Sequence, residues 1–173
     1  MPLICPLEIP SHQPLLQQEM GKLSTEIRQS KPFESLEEEV FLALQRTAAL
    51  LLRRVGREME AHDLTPAQHN VLRILRGAGP DALTCGEIGD RLVSPGPDVT
   101  RLLDRLEKQG LLERLRDEQD RRVVRARITE KGLAVLDEID KPVDRVLREL
   151  LGHIGAEDLQ RFIELLERAR ERA

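Results

Sequence analysis

The sequence predicts a mainly α-helical fold that carries one small β wing, and three observations lead there. Apolar residues recur at helical spacings, as in Leu36, Val40, Leu44, Leu51, Val55 and Met59. Residues 111–128 break that period into two short runs about a charged tip, with β-branched Val123 and Val124 in the second. Aromatic residues make up only 2% of the 173 residues, against 40% hydrophobic, so the core is aliphatic and suited to helix packing.

The elements follow in order. Residues 1–34 read as a loose, proline-bearing arm with an accessory helix within 14–30, ended by the Lys31-Pro32 step. Ser35, with Glu38 three residues on, starts a long helix over 35–62. Thr65 caps the next, with Pro66 at its first position, and that helix runs to about Arg76. Leu83-Thr84 is a short strand, and Thr84 caps a helix that reaches about Leu92. Prolines 95 and 97 force a tight connection, with Pro97 opening a helix over 97–109 that stops at Gly110. Residues 111–116 and 122–128 pair as a hairpin with its tip at 117–121. Thr129 starts a helix to about Leu151, bent near Pro142, and a last helix begins at about Ala156.

That order, helix–turn–helix–hairpin–helix, is what a winged helix-turn-helix uses to set one helix in the major groove and a basic loop beside it. The winged helix is expected over 63–130, with long terminal dimerisation helices at 35–62 and 131–173. Charge agrees, although the whole chain is acidic at −4. Residues 91–131 hold eleven Lys/Arg against eight Asp/Glu, whereas residues 1–62 hold seven against nine and 132–173 seven against ten. A basic middle between acidic ends fits a DNA-reading module on helices that do not touch DNA.

In the helix from Pro97, one face is taken by Val99, Leu102, Leu103 and Leu106. Thr100, Arg101 and Arg105 remain outward. The two arginines lie one turn apart and address the same groove, where arginine pairs with guanine or clamps phosphate. Ser94 and Pro97 flank the helix entry, whose amides favour phosphate, and Asp98 competes for that positive end. A charged surface with Asp98–Arg101 and Asp104–Lys108 pairs accounts for the same residues, and both readings stand at this point. At the hairpin tip, Asp120, Arg121 and Arg122 suit entry of an arginine into the minor groove, with Asp120 holding Arg122 by a bidentate pair. Arg125 and Arg127 share a strand face; a solvated hairpin is the alternative.

The runs LTPAQHNVLRIL and EIGDRLVSPGPDVTRLLDRLEKQGLLERLRDEQDRRVVRARITEKG are similar to the MarR family of bacterial transcription regulators. VTRLLDRLE, the DRR of the hairpin and ITEKG carry the resemblance most specifically, and it spans residues 35–173. It implies a symmetric homodimer, each winged helix reading half of a pseudo-palindromic double-stranded DNA operator, while the sparse cysteines point to a reducing cytoplasm. It also implies a repressor released by a small-molecule ligand, with Arg122 as the minor-groove arginine and Asp120 its positioning partner. SPGPDVT departs from the family's pattern, with two prolines in a slightly longer turn.

Many members of that family lose DNA affinity when a small, often aromatic or phenolic, acid enters a cleft beside the winged helix. Arg46, His62, His69 and Arg73 are the positions here expected near such a cleft, with a structural histidine as the other reading. His12, His62, His69 and His153 form no close ligand pair, so neither metal nor cofactor is expected. Cys5 and Cys85 make no disulfide framework. No apolar run approaches membrane-spanning length. A winged helix used for protein contact, or a small cytoplasmic enzyme, are the alternatives; the sequence holds no glycine-rich phosphate loop or nucleophile elbow.

Overall fold

In the computed structural model, residues 21–94, 96, 98–117, 120 and 122–172 are described, in two compact units, Met1–Thr47 and Ala48–Ala173. In the first, helix α1 (Lys22–Glu26) is far shorter than the helix expected over 14–30, whose first residues lie outside the described part. Its Ser24 is buried and donates to the Gly21 carbonyl at 2.6 Å. Helix α2 (Leu36–Glu60) starts in this unit and continues into the second. Ser35 Oγ accepts the Glu38 amide at 3.1 Å, while the Glu38 carboxylate accepts the amide of Glu34 rather than that of Ser35. Three glutamates, Glu37 to Glu39, fill the first turn, where the helix dipole favours them.

In the second unit α2 ends at Glu60, and the turn after it closes at Asp63, which takes a left-handed φ of 54°. Helix α3 (Pro66–Gly77) follows behind a reciprocal cap in which Thr65 Oγ1 accepts the Gln68 amide and Gln68 Oε1 accepts the Thr65 amide. Val71, Leu72 and Leu75 on its inner face are fully buried. Strand β1 (Leu83–Thr84) leads into α4 (Cys85–Gly89), capped the same way by Thr84 and Glu87. Helix α4 is shorter than the sequence suggested: beyond Asp90 the bonds tighten to Arg91 N–H on Ile88 O and Leu92 N–H on Gly89 O.

Helix α5 (Val99–Lys108) begins two residues later than expected. Its N-cap is Asp98, whose carboxylate accepts the Arg101 amide, and Pro97 lies outside the described residues. At its other end Gly110, at φ 73°, donates to Glu107 O while Leu111 donates to Leu106 O, the paired bonds of a Schellman stop. Strands β2 (Leu112–Arg116) and β3 (Val124–Ile128) pair antiparallel with Leu112 opposite Ile128, and β1 joins the other edge of β3, giving the order β1-β3-β2.

Helix α6 (Glu130–Leu151) accommodates Pro142, and a 3-10 turn, Gly152–Ile154, leads to α7 (Ala156–Arg170). The start of α6 is bolted to the end of α5. Thr129 Oγ1 accepts the Gly132 amide and donates to Gly110 O, and Lys131 Nζ donates to Gln109 O. A Cβ at Gly132 would collide with the Leu111 carbonyl oxygen and lie 2.7 Å from Ile128 Cγ1. That is the physical reason for the glycine of ITEKG. The aliphatic core of this unit gathers Leu72, Ile88, Leu103, Leu106, Leu112 and Leu136, each at most 2% exposed.

Candidate nucleic-acid interface

Helix α5 buries Leu103 and Leu106 against that core and turns Thr100, Arg101 and Arg105 to solvent. Asp98, Arg101 and Arg105 line an open depression along its outer side. Three groups fix the helix there. Asp98 closes its first turn. Asn70 Oδ1, on α3, accepts the Val93 amide at 2.9 Å and holds the connection that leads into it. Arg114, on β2, reaches back with one guanidinium to Asp104 at 2.6 Å, Glu107 at 3.6 Å and the Thr100 carbonyl at 3.2 Å.

The arginines of α5 and the hairpin include two contrasting sets. Arg114 is committed to α5. Arg125 donates to Asp117 at 2.7 Å and reaches Glu87 at 3.5 Å, and the Asp117 carboxylate holds its pKa above the ordinary value. Arg127 grips Glu113, its cross-strand neighbour, through two donors. Glu87, accepting the backbone and side-chain donors of Thr84, is held below the usual carboxylate range. Arg101, Arg105 and Arg122, by contrast, are exposed and have no side-chain partner among the described residues. The surface pairing of Arg101 with Asp98 and of Lys108 with Asp104 does not form: Asp98 takes a backbone amide, and Asp104 takes Arg114.

At the wing tip, Asp120 also differs from expectation. Its Oδ1 accepts the backbone amide of Arg122 at 2.9 Å instead of forking onto the guanidinium. Val123 N–H donates to Asp120 O, and Asp117 N–H to Val123 O, so these residues build the turn and leave the Arg122 side chain outward. Arg121 lies outside the described residues.

Between α2, α3 and α6 lies a cavity of about 470 Å³, walled by Leu52, Val55, Met59, Val143 and Leu147 with His69, Asn70 and Arg73 on its α3 side. Val93 and Ser94 complete its rim, so Ser94 belongs to this cavity as well as to the approach to α5. No Asp or Glu lines it, and Arg73 has no ion-pair partner among the described residues. His69 is buried, with Nε2 unbonded and 4.0 Å from Asp140; burial, then the nearby Arg73, lowers its pKa. The other two expected ligand residues are elsewhere engaged. His62 sits 3.7 Å from Glu138 and does not line the cavity, and Arg46 belongs to the first unit, 3.9 Å from Glu26. Sequence reasoning missed Asn70 and Arg114, whose partners lie 23 and between 7 and 14 residues away with no local motif to announce them. Among the described residues no three His, Cys, Asp or Glu side chains converge as for a metal, and no helix is long and apolar enough to cross a membrane.

The MarR family model matches residues 62–123, from the end of α2 to the wing. The HTH-type transcriptional regulator MhqR of Bacillus subtilis (strain 168) is 30% identical over 129 residues, 75% of this chain and 88% of that protein. Among solved structures, a MarR transcription factor from Planctomyces limnophilus is 37% identical, with 78% of this chain and 98% of that one covered and a TM-score of 0.61. The organohalide-sensing transcriptional regulator RdhR-CbdbA1625, in its 2,4-dichlorophenol-bound form, shares the fold at a TM-score of 0.75 and 21% identity, covering 83% and 87%.

Proposed function

The chain belongs to the MarR family of DNA-binding transcriptional regulators, and on that premise we propose that it is a homodimeric repressor of the cytoplasm that leaves its operator when a small ligand binds. Each copy presents α5 to one half of a pseudo-palindrome, the two helices one turn of B-DNA apart, about 34 Å. Arg101 and Arg105 read base edges and Thr100 a thymine methyl or phosphate, while Ser94, Pro97 and Asp98 flank the approach of the helix end to the backbone. Arg122, with Arg121, meets the minor groove or its flanking phosphate, and Asp120 shapes the turn that carries them.

One observation carries this reading. In a region where Arg114, Arg125 and Arg127 are each tied to carboxylates, Arg101 and Arg105 stand exposed on one side of α5 with no side-chain partner among the described residues. The ligand reading rests on the cavity, whose apolar walls and unpaired Arg73 suit a small molecule with an apolar body and an anionic group. Its counterpart in kind is the dichlorophenol of RdhR-CbdbA1625. Dimerisation rests on apolar side chains left open on α7, with Phe162, Ile163 and Leu165 each at least 40% exposed.

The test begins with duplexes selected from a random pool. Replacing Arg101 or Arg105 by alanine is expected to remove about 1–3 kcal/mol of preference for the selected duplex over random DNA. Arg122→Ala is expected to weaken both alike and to flatten the salt dependence by about one. No preference for any duplex at low ionic strength would refute the reading, and equal losses on both duplexes would remove Arg101 and Arg105 from base reading.

A further inference from the structure

We infer that Asn70 is the positioning residue that joins the cavity to the reading head: its hydrogen bond to Val93 sets the entry of α5, and filling the cavity acts by parting that bond. The inference rests on the proposed DNA-binding function and deepens it.

The connection into α5, residues 93–98, has few amides by which it could be fastened. Two of its residues are prolines, which have no amide hydrogen. Among its described residues ahead of the Asp98 cap, Val93, Ser94 and Gly96, the Val93 amide on Asn70 Oδ1, at 2.9 Å, is the only hydrogen bond to another element. The donor is a backbone amide, so the acceptor must be the side-chain oxygen, and the orientation of the Asn70 carboxamide is settled by chemistry. Behind this bond α3 is anchored in the core, its Val71 and Leu72 fully buried and its first turn doubly capped. Ahead of it the Val93 side chain is 85% exposed and packs against little, so the bond holds the segment where packing does not.

Both partners of that bond are also cavity wall. Ala67, Asn70 and Arg73 follow at three-residue steps along one face of α3, and all three line the cavity. A molecule whose anionic group sits at Arg73 and whose apolar body fills the space thus lies against Asn70, with Val93 and Ser94 across from it. Occupancy competes with the contact between Asn70 and Val93 for the same volume, and when the contact opens, Val93 and Ser94 lose their hold on α3. The outcome is a displaced Arg101 and Arg105 without any change in the charge that faces DNA. Losing aim and keeping charge has its own signature: preference for the selected duplex falls while affinity for random duplex stays.

The test needs no effector. Asn70→Ala is expected to lower the preference for the selected duplex about two- to tenfold, the worth of one hydrogen bond, with random-duplex affinity and salt dependence unchanged. Asn70→Asp keeps the acceptor and is expected to restore most of that preference, and amide exchange at Val93 should quicken in the alanine variant alone. Ala67→Phe puts a ring into the cavity in place of a ligand. It should lower the preference with Asn70 present and add nothing in the Asn70→Ala background, with Ala67→Leu as the smaller step if the phenylalanine variant melts early. Unchanged preference in Asn70→Ala, or equal losses on both duplexes, overturns the positioning role. Additive effects of the two substitutions, or none from filling the cavity, overturn the link to the cavity. A wild-type chain with no duplex preference would instead sink the DNA-binding function, while exchange at Val93 would still report on the bond itself.

Discussion

Helices α3 and α7 have similar lengths and comparable shares of aliphatic residues, yet they use them in opposite ways. In α3 five of twelve residues are buried, including Val71 and Leu72 at 0% exposure; in α7 none of fifteen is. Helix α3 forms the floor on which α5 and the wing are mounted. Helix α7 keeps Phe162, Ile163 and Leu165 in water, an arrangement that stabilises nothing within one copy. Apolar spacing alone therefore marks two kinds of helix, one that folds the reading head and one whose apolar side awaits another surface.

The comparison breaks most severely at Gly132. Its Cα lies so close to the Leu111 carbonyl and to Ile128 that an added methyl must push α6 away from the end of α5. Gly132→Ala is expected to cost about 3 kcal/mol or more of stability, read as an early thermal melt and lost binding to every duplex. An unchanged melt would mean that α6 has slack at this point. Phe162→Glu strikes the other helix. It is expected to leave the fold of the head intact while sedimentation shows monomers and duplex affinity falls by about a hundredfold, the loss of one of two linked half-sites. A dimer that survives this substitution would place the interface elsewhere.

How much of this was legible in the sequence follows the range of the interaction. The caps at Thr65, Thr84 and Thr129 and the stop at Gly110 were readable because each is closed by atoms within about four residues. The same locality explains the two misjudged ends. The residue that ends α4, Asp90, keeps a right-handed backbone and signals no stop in the sequence, and Asp98, by taking the Arg101 amide, sets the start of α5 at Val99. The arginine cluster could be counted but not sorted. Which arginines pair depends on the register that sets Arg127 against Glu113 and on the packing that brings Arg114 to Asp104, and neither is written in local spacing. Arg46 was placed near the cavity by resemblance, whereas its observed partner is Glu26 within its own unit.

Arg114 sharpens the difference between arginines that read and arginines that hold. Arg114→Gln would release Asp104 and Glu107 from their cation on the helix proposed to approach phosphate. Duplex affinity is expected to fall several-fold, about 1 kcal/mol, for want of aim and through repulsion. Adding Asp104→Asn should then recover part of the loss, whereas Asp104→Asn alone should weaken binding by undoing the clamp. Were Arg114 itself a phosphate contact, Asp104→Asn would improve binding equally in both backgrounds.

The smallest effect concerns acid stability and returns to α3. His69 is buried with its Nε2 unbonded, and desolvation, then Arg73, lowers its pKa from 6.5, so the folded chain holds it neutral where the unfolded chain would protonate it. Above pH 6.5 both states carry the neutral ring and the histidine leaves stability independent of pH. As pH falls below 6.5 the unfolded state binds the proton first, and stability declines until the pH passes the lowered folded value. Thermal melts between pH 7.5 and 5 should show that decline in the wild type and a shallower one in His69→Leu, in which no ring remains to titrate. Parallel declines in the two would assign the acid sensitivity to other groups and leave His69 as a packing residue.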